Sequence, residues 1–268
     1  MFDSGVGGLT VLHECLVSMP HEDFLYAGDT AHFPYGGRSA EELRGYAQEI
    51  AGWLVREGVK LIVVACNSAT ATALSELQRT LEVPVIGVLT PEARAAVQLT
   101  RTRRVGLLAT EATIASGRYR EVVRGLDAGI DLIEVACPGL ADAIQRGETY
   151  DETMVARVRA HCEPLHAADV DTVILGCTHY PLIRGMLQRE LGREVALVSA
   201  AEELAEEVAA TLARKRIGRD HGRRGSYRFA CTGDAAAFAA VGRRFLQLPI
   251  SSVRPLGAAE LAGLALSR

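Results

Sequence analysis

The sequence predicts an α/β protein built as two similar domains, each a mainly parallel sheet flanked by helices, with an active site in the cleft between them. Three observations predict it. Short apolar runs of strand length alternate with helix-length segments along most of the chain, the pattern of parallel sheets covered on both faces. The 268 residues exceed most single small domains and suit two such units. One stretch also occurs twice: Val59 to Ala69 reads VKLIVVACNSA and Val170 to Tyr180 reads VDTVILGCTHY. Each copy has a valine, an apolar run, a cysteine seven residues after the valine, and then polar residues.

The elements follow in order. Phe2-Asp3-Ser4-Gly5-Val6-Gly7-Gly8 reads as a strand end turning through glycines into a helix over 9–19, and the turn's N–H groups would suit an anion. Only Met1 and Phe2 precede Asp3, so the first strand is expected to be short. DFLYA (23–27) is a strand, and GDTAHFPYGGRS (28–39) a loop rich in Gly, Pro and polar residues. Ser39 with Glu42 forms a capping box for a helix over 40–57. Strand 61–65, helix 68–81 and strand 85–89 follow, and Thr90-Pro91-Glu92 opens another helix. The pattern then restarts with strand 105–109, helix 116–126, strand 132–136 and helices over 140–146 and 151–166. Strand 172–175 leads to Cys177 and a helix over 181–191. Strand 196–198, helix 200–215, strand 227–231 and helix 234–246 complete it, and the tail carries a short helix over 258–266. The restart places a boundary near Thr90 and leaves open which half the C-terminal segment joins.

Composition excludes several functions. Apolar residues make up 49%, enough for a sizeable core, and net charge is −4, so nothing draws the chain to nucleic acid or an anionic membrane. No apolar run is long enough to span a membrane, and no signal peptide is visible. The six cysteines are scattered without a CxxC, which points to reduced thiols in the cytoplasm. Of the two lysines, Lys60 opens a strand at the end far from Cys66 and Lys215 lies in a basic cluster; neither is placed for a pyridoxal-phosphate Schiff base. His161 and His166 are five apart and share a helix face poorly, which argues against a metal site. The glycine run is not GxGxxG, and no GxxxxGK[ST] occurs.

In open parallel sheets ligands sit at the carboxyl ends of strands. Asp3-Ser4, Gly28-Asp29, Cys66-Asn67 and Cys177-Thr178 all stand there. Both repeated cysteines precede an expected helix, whose N-terminus would make each partly thiolate near neutral pH. Two such thiols on opposite sides of a carbon acid can remove a proton from one face and return one to the other. The remaining cysteines, Cys15, Cys137, Cys162 and Cys231, lack this context and read as structural. His179 either assists Cys177 or bonds to the turn's backbone. Asp3 either assists Cys66 or caps the first helix. Ser4, Asn67, Ser68 and Thr178 are donors suited to a carboxylate or ammonium group, or helix caps.

FDSGVGGLTV (2–11), GDTAHFPYGGRS (28–39), ACNSATA (65–71) and GCTHYPL (176–182), in that order, resemble the glutamate racemases of the aspartate/glutamate racemase superfamily. ATEATIASGRY (109–119) and TGDAAAF (232–238) extend the resemblance over nearly the whole chain. The resemblance implies a cofactor-independent enzyme interconverting L- and D-glutamate, supplying D-glutamate for peptidoglycan, and a homodimer. It also implies domains at 1–90 plus 200–268 and at 91–199. It implies Cys66 and Cys177 as the two acid/base residues, Cys66 acting on D-glutamate and Cys177 on L-glutamate, with Asp3 and His179 assisting. Substrate contacts are implied at Asp3, Ser4, Tyr35, Gly36, Asn67, Ser68, Thr178 and His179, with Thr110 and Thr113 added by the TEATI block. Two positions depart from the family: Ser68 stands where threonine is usual, and Gln145 where an ionisable glutamate is frequent. The competing readings are another amino-acid racemase of the same plan, a cysteine hydrolase using Cys177 and His179, and a non-enzymatic binder of small acids. The aspartate racemases lack the GDT…PYG block, and the hydrolase reading leaves Cys66 without a purpose.

Overall fold

The computed structural model describes residues 1–148, 151–219 and 222–262. Its strands form two sheets, and every pairing within them is parallel. The first comprises β1 (Phe2–Asp3), β2 (Phe24–Gly28), β3 (Ile62–Val64), β4 (Val85–Gly87), β9 (Tyr227–Cys231) and β10 (Val253–Pro255), in the order β10-β9-β2-β1-β3-β4. The second comprises β5 (Arg104–Ala109), β6 (Asp131–Ala136), β7 (Thr172–Gly176) and β8 (Ala196–Val198), in the order β6-β5-β7-β8. The chain reverses its direction of travel across the first sheet at β1, and across the second between β5 and β7. Those are the switch points where the loops at the carboxyl edge part and a ligand crevice opens.

β1 is two residues long, yet it is central. Phe2 pairs with both Ala27 and Val64 and is completely buried. The Met1 ammonium donates to the Leu25 carbonyl at 2.8 Å, and burial pushes its pKa down to about 5.

Most elements fall within two residues of the sequence expectation, for local reasons. Ser39 accepts from the Glu42 N–H while Glu42 returns a bond to the Ser39 N–H, starting α2 (Ala40–Arg56). Asp151 caps α8 (Glu152–Ala167) and Asp234 caps α11 (Ala235–Leu246) by accepting the Met154 and Ala237 N–H groups. Three regions differ. A separate short helix, α5 (Glu111–Ala115), precedes α6 (Arg118–Leu126), because Thr110 caps a new turn and Gly117 adopts a positive φ between the two. The tail forms β10 beside β9 before α12 (Ala258–Leu261). The expected helix beyond Ala262 lies outside the described residues. The helix expected from Pro181 opens instead as a 3₁₀ turn over Tyr180–Ile183, and α9 is Arg184–Leu191.

Three apolar clusters hold the layers together. One face of the first sheet packs against α2 and α3 (Asn67–Thr80) through Phe2, Leu43, Ile50, Trp53, Leu54, Ile62 and Leu77. One face of the second packs against α7 (Leu140–Arg146), α8 and α9 through Leu108, Leu165, Val173 and Leu187. The largest cluster joins the two inner faces through α1 (Leu9–Ser18), α4 (Leu89–Leu99), α10 (Ala201–Lys215) and α11. Burying one such leucine or phenylalanine contributes about 1.5–3 kcal/mol, so this shared layer fixes the two sheets against each other. Among the described residues no helix is long and apolar enough to cross a membrane.

Candidate active site

The two repeated cysteines meet in one cavity of ≈ 190 Å³ between the carboxyl edges of the sheets. Ser4, Tyr35, Gly36, Asn67, Ser68, Thr110, Thr178 and His179 line it with them. Asp3 and Thr113 do not; both lie behind the wall, fully buried.

The glycine turn after β1 explains how the halves come so close. A Cβ on Gly7 would stand 2.3 Å from Thr178 Oγ1 and 2.5 Å from His179 Nδ1, so only glycine lets this turn rest against the Cys177 loop. The turn is not an open anion nest. The Gly5 N–H donates to Asp3 Oδ2 at 3.0 Å, and Thr178 Oγ1 donates to Asp3 Oδ1 at 3.4 Å. Asp3 thus ties the first sheet to the loop carrying the second cysteine. Burial raises its pKa, against the bonds it accepts.

Cys66 is the N-cap of α3 and accepts the Ala69 N–H on Sγ at 3.5 Å. Burial nevertheless pushes its thiol up to about 12, and the nearby Asp3 charge adds to the rise. Cys177 is also raised well above its ordinary value, again chiefly by burial, and the Cys66 charge adds to the rise. The expectation of partly ionised thiols is therefore not met, because burial outweighs the helix N-terminus. At about 12, thiolate at pH 7 is outnumbered on the order of 10⁵ to one, and a single capping N–H does not offset that desolvation. Cys177 also lacks the expected helix start, since a 3₁₀ turn follows it.

Cys177 has an imidazole instead. His179 Nδ1 lies 3.9 Å from Cys177 Sγ and 3.5 Å from Thr178 Oγ1, while Nε2 lies 3.0 Å from Gln145 Oε1. An amide oxygen only accepts, so the ring proton sits on Nε2 and Nδ1 turns its lone pair toward the thiol. Burial lowers the His179 pKa to about 3, which keeps the ring neutral at ordinary pH. Phe33 and Phe245 flank it, with ring centroids 5.3 and 5.5 Å away.

The polar contacts divide between the halves. Ser68 Oγ lies 2.8 Å from Thr110 Oγ1 and 3.2 Å from Thr113 Oγ1, and the two threonine hydroxyls are 3.0 Å apart. Tyr35 donates its hydroxyl to Asp29 Oδ2 at 2.6 Å, so it faces the cavity with its ring and backbone. The Gly36 carbonyl accepts from the Ala112 N–H at 2.9 Å, joining the first sheet's loop to α5. Among the described residues lining the cavity there is no lysine or arginine, while Glu111 and Asp142 are present. The polar groups the lining offers include the hydroxyls of Ser4, Ser68, Thr110 and Thr178, beside the N-terminus of α3.

Sequence reasoning missed several residues of this region. Gln145, visible only as a departure, proves to orient His179. Cys137, set aside as structural, lines the cavity. Glu92, which reads as an acid in the first turn of a helix, is buried beside Asn67 and Tyr119, and burial pushes its carboxyl up to about 8.

The sequence pattern of the Asp/Glu/Hydantoin racemase family matches residues 11–208. The glutamate racemase of Parafrankia sp. is 48% identical over 254 residues, covering 94% of this chain and 92% of its own. A glutamate racemase isoform from Bacillus anthracis superposes with a TM-score of 0.91 at 39% identity, covering 95% of each chain. The Francisella tularensis glutamate racemase, solved in complex with D-glutamate, superposes with a TM-score of 0.91 at 28% identity, covering 98% of this chain and 97% of its own. With matches of that extent, and with two thiols at equivalent strand ends of opposed sheets, the chain belongs to the Asp/Glu/Hydantoin racemase family and groups with its glutamate racemases.

Proposed function

We propose that the enzyme interconverts L- and D-glutamate by moving the α-proton between Cys66 and Cys177, supplying D-glutamate for peptidoglycan. The observation that carries this reading is the shared cavity. Two thiols from different sheets face one small space, with polar groups for an amino acid's carboxylates and ammonium around them.

One thiolate removes the Cα proton from the face it meets, and the opposite thiol gives its own proton to the other face. The product is the enantiomer, and the two sulfurs have exchanged protonation states. Cys66 serves D-glutamate and Cys177 serves L-glutamate. The substrate itself helps ionise the resting thiols. An ammonium about 4 Å from a sulfur contributes about 4 kcal/mol at an effective dielectric of 20, equivalent to about three pKa units. That offsets most of the rise that burial imposes on Cys66. On the other side the Nδ1 lone pair of His179 accepts a hydrogen bond from the Cys177 thiol and orients it. Asp3 acts from behind the wall by holding Thr178 and the glycine turn. A hydrolase built on Cys177 and His179 would leave Cys66, in the same cavity, without a use.

Incubation with L-glutamate in heavy water, without added cofactor, tests the proposal. Optical rotation is expected to fall toward zero while deuterium enters at Cα. Exchange with aspartate but not glutamate would move the substrate assignment, and exchange with neither by folded protein would refute the racemase reading.

A further inference from the structure

Asn67, directly after Cys66, is held in a way the two-thiol reaction does not require. Its Nδ2 lies 2.9 Å from Glu92 Oε2 and 2.8 Å from the Tyr119 hydroxyl, and Tyr119 donates its own proton to the same Glu92 oxygen. All three side chains are buried, Asn67 at 3% exposure and the other two at 1%. They come from three elements: α3 carries Asn67, α4 carries Glu92, and α6, beside the second sheet, carries Tyr119.

A proton inventory gives this cluster one arrangement. The Asn67 NH₂ group faces both Glu92 Oε2 and the Tyr119 oxygen, which lie so close together that one N–H serves the pair, and the tyrosine hydrogen goes to Glu92. The Ala200 N–H also serves Glu92, so donors surround the carboxylate. Rotating the amide by half a turn would set its oxygen against Glu92 Oε2 and the Tyr119 oxygen, whose one hydrogen is already given to Oε2, so two acceptors would face a third. The polarity of the Asn67 amide is thus fixed, with its NH₂ group toward Glu92 and Tyr119. Its Oδ1 is buried with no hydrogen-bond partner among the described residues, on a side chain that lines the cavity. A buried lone acceptor of this kind is costly unless a ligand supplies a donor.

We propose that Glu92 and Tyr119 are positioning residues that fix the polarity of the Asn67 amide, so that Oδ1 rather than the NH₂ group meets the α-ammonium of the substrate. The inference rests on the glutamate reading above. It gives the ammonium a defined seat beside Cys66, where its charge does most to ionise that thiol. Neither Glu92 nor Tyr119 touches the reacting atoms; both act through Asn67.

The test compares glutamate with glutarate, the same diacid without the amino group. In the Glu92→Leu enzyme the KM for glutamate is expected to rise about tenfold or more, because hydrogen bonds to a charged group are among the stronger ones. The inhibition constant of glutarate is expected to stay within about twofold, and kcat to change far less than KM. Glu92→Gln keeps an oxygen for both donors and is expected to restore most of the KM. A general distortion of the cavity would instead weaken glutamate and glutarate together, and that result, or no change in either, overturns the proposal. Should Glu92→Leu fail to fold, Tyr119→Phe gives the same comparison with a smaller KM rise. A double-mutant cycle adds a second check: in an Asn67→Ala background Glu92→Leu is expected to add nothing to KM, and additive losses count against the proposal. A wild-type enzyme that exchanges no α-proton of glutamate would remove the reading beneath, and this inference would fall with it.

Discussion

Cys66 and Cys177 end corresponding strands of two sheets, yet their surroundings differ. Cys66 caps a helix of 14 residues, takes a backbone N–H on its sulfur, and has Asp3 as the nearby charge that opposes its ionisation. Cys177 stands in a turn ahead of a 3₁₀ segment, with the lone pair of a neutral imidazole 3.9 Å away. Burial raises both thiols, and different groups face them: a capping N–H at a helix terminus on one side, a neutral imidazole lone pair on the other. A chiral carbon requires such a difference. Its two faces present the same hydrogen to different arrangements of carboxylate, ammonium and side chain, so two identical half-sites would fit only one enantiomer well.

The largest effects come from deleting either thiol. Cys66→Ala and Cys177→Ala are each expected to lower racemisation by about 10³-fold or more, near the upper part of what a general acid or base contributes. Measuring rotation with both enantiomers checks this, and a single cysteine sufficing for full racemisation would break the two-sided picture. His179→Asn comes next, with an expected loss of about 10²-fold. Enantiomers have equal free energy, so kcat/KM must fall equally in both directions whichever side is damaged. The asymmetry shows elsewhere. The primary deuterium isotope effect is expected to grow more with α-deuterated L-glutamate, whose proton Cys177 removes, than with the D-enantiomer. Equal growth would mean that His179 does not belong to one side.

The comparison also shows what could be read from sequence. The apolar runs ahead of Cys66 and Cys177 carry a local signal, and strand ends in parallel sheets face the ligand crevice, so both thiols were legible as a pair. The glycine turn was legible as a turn. Its reason was not, because the atoms that forbid a Cβ at Gly7 lie about 170 residues away on Thr178 and His179. The thiol ionisation was misjudged for a related reason. A helix N-terminus is visible in sequence, whereas the desolvation that outweighs it depends on how tightly the two sheets close. Glu92 had no signal at all, since an acid in a helix's first turn is ordinary and its burial comes from packing against Asn67 and Tyr119.

Smaller changes sharpen the Cys177 side. Gln145→Glu would place a carboxylate 3.0 Å from His179 Nε2. An opposite charge at that distance favours the imidazolium and raises the His179 pKa from about 3. The protonated ring exists below its pKa and has no lone pair for the Cys177 proton, so activity is lost as pH falls through that value. The acidic limb of the kcat/KM profile is expected to move upward by about one pH unit, with about two- to fivefold less activity near pH 4 and little change above pH 6. A fixed acidic limb would detach Gln145 from the histidine.

The smallest effect is expected where the halves share a feature. Ser68 comes from the first sheet's helix, and Thr110 and Thr113 from the loop and helix after β5, yet their hydroxyls form one triangle. Three hydroxyls that close on one another spend all three hydrogens, so binding a carboxylate must turn one hydrogen outward, and Ser68 and Thr110 are the members that line the cavity. Removing Ser68 leaves the two threonines to satisfy each other, which limits the damage. Ser68→Ala is expected to cost about 1 kcal/mol of stability, the net worth of one such bond, and to raise KM several-fold. Because the triangle belongs to neither thiol, KM is expected to rise by the same factor for both enantiomers, with kcat and the isotope effects unchanged, as for an interaction equally present in ground and transition states. Steady-state kinetics in both directions and a thermal melt measure this. An unequal rise would assign Ser68 to the Cys66 side and make the hydroxyl triangle part of the asymmetry.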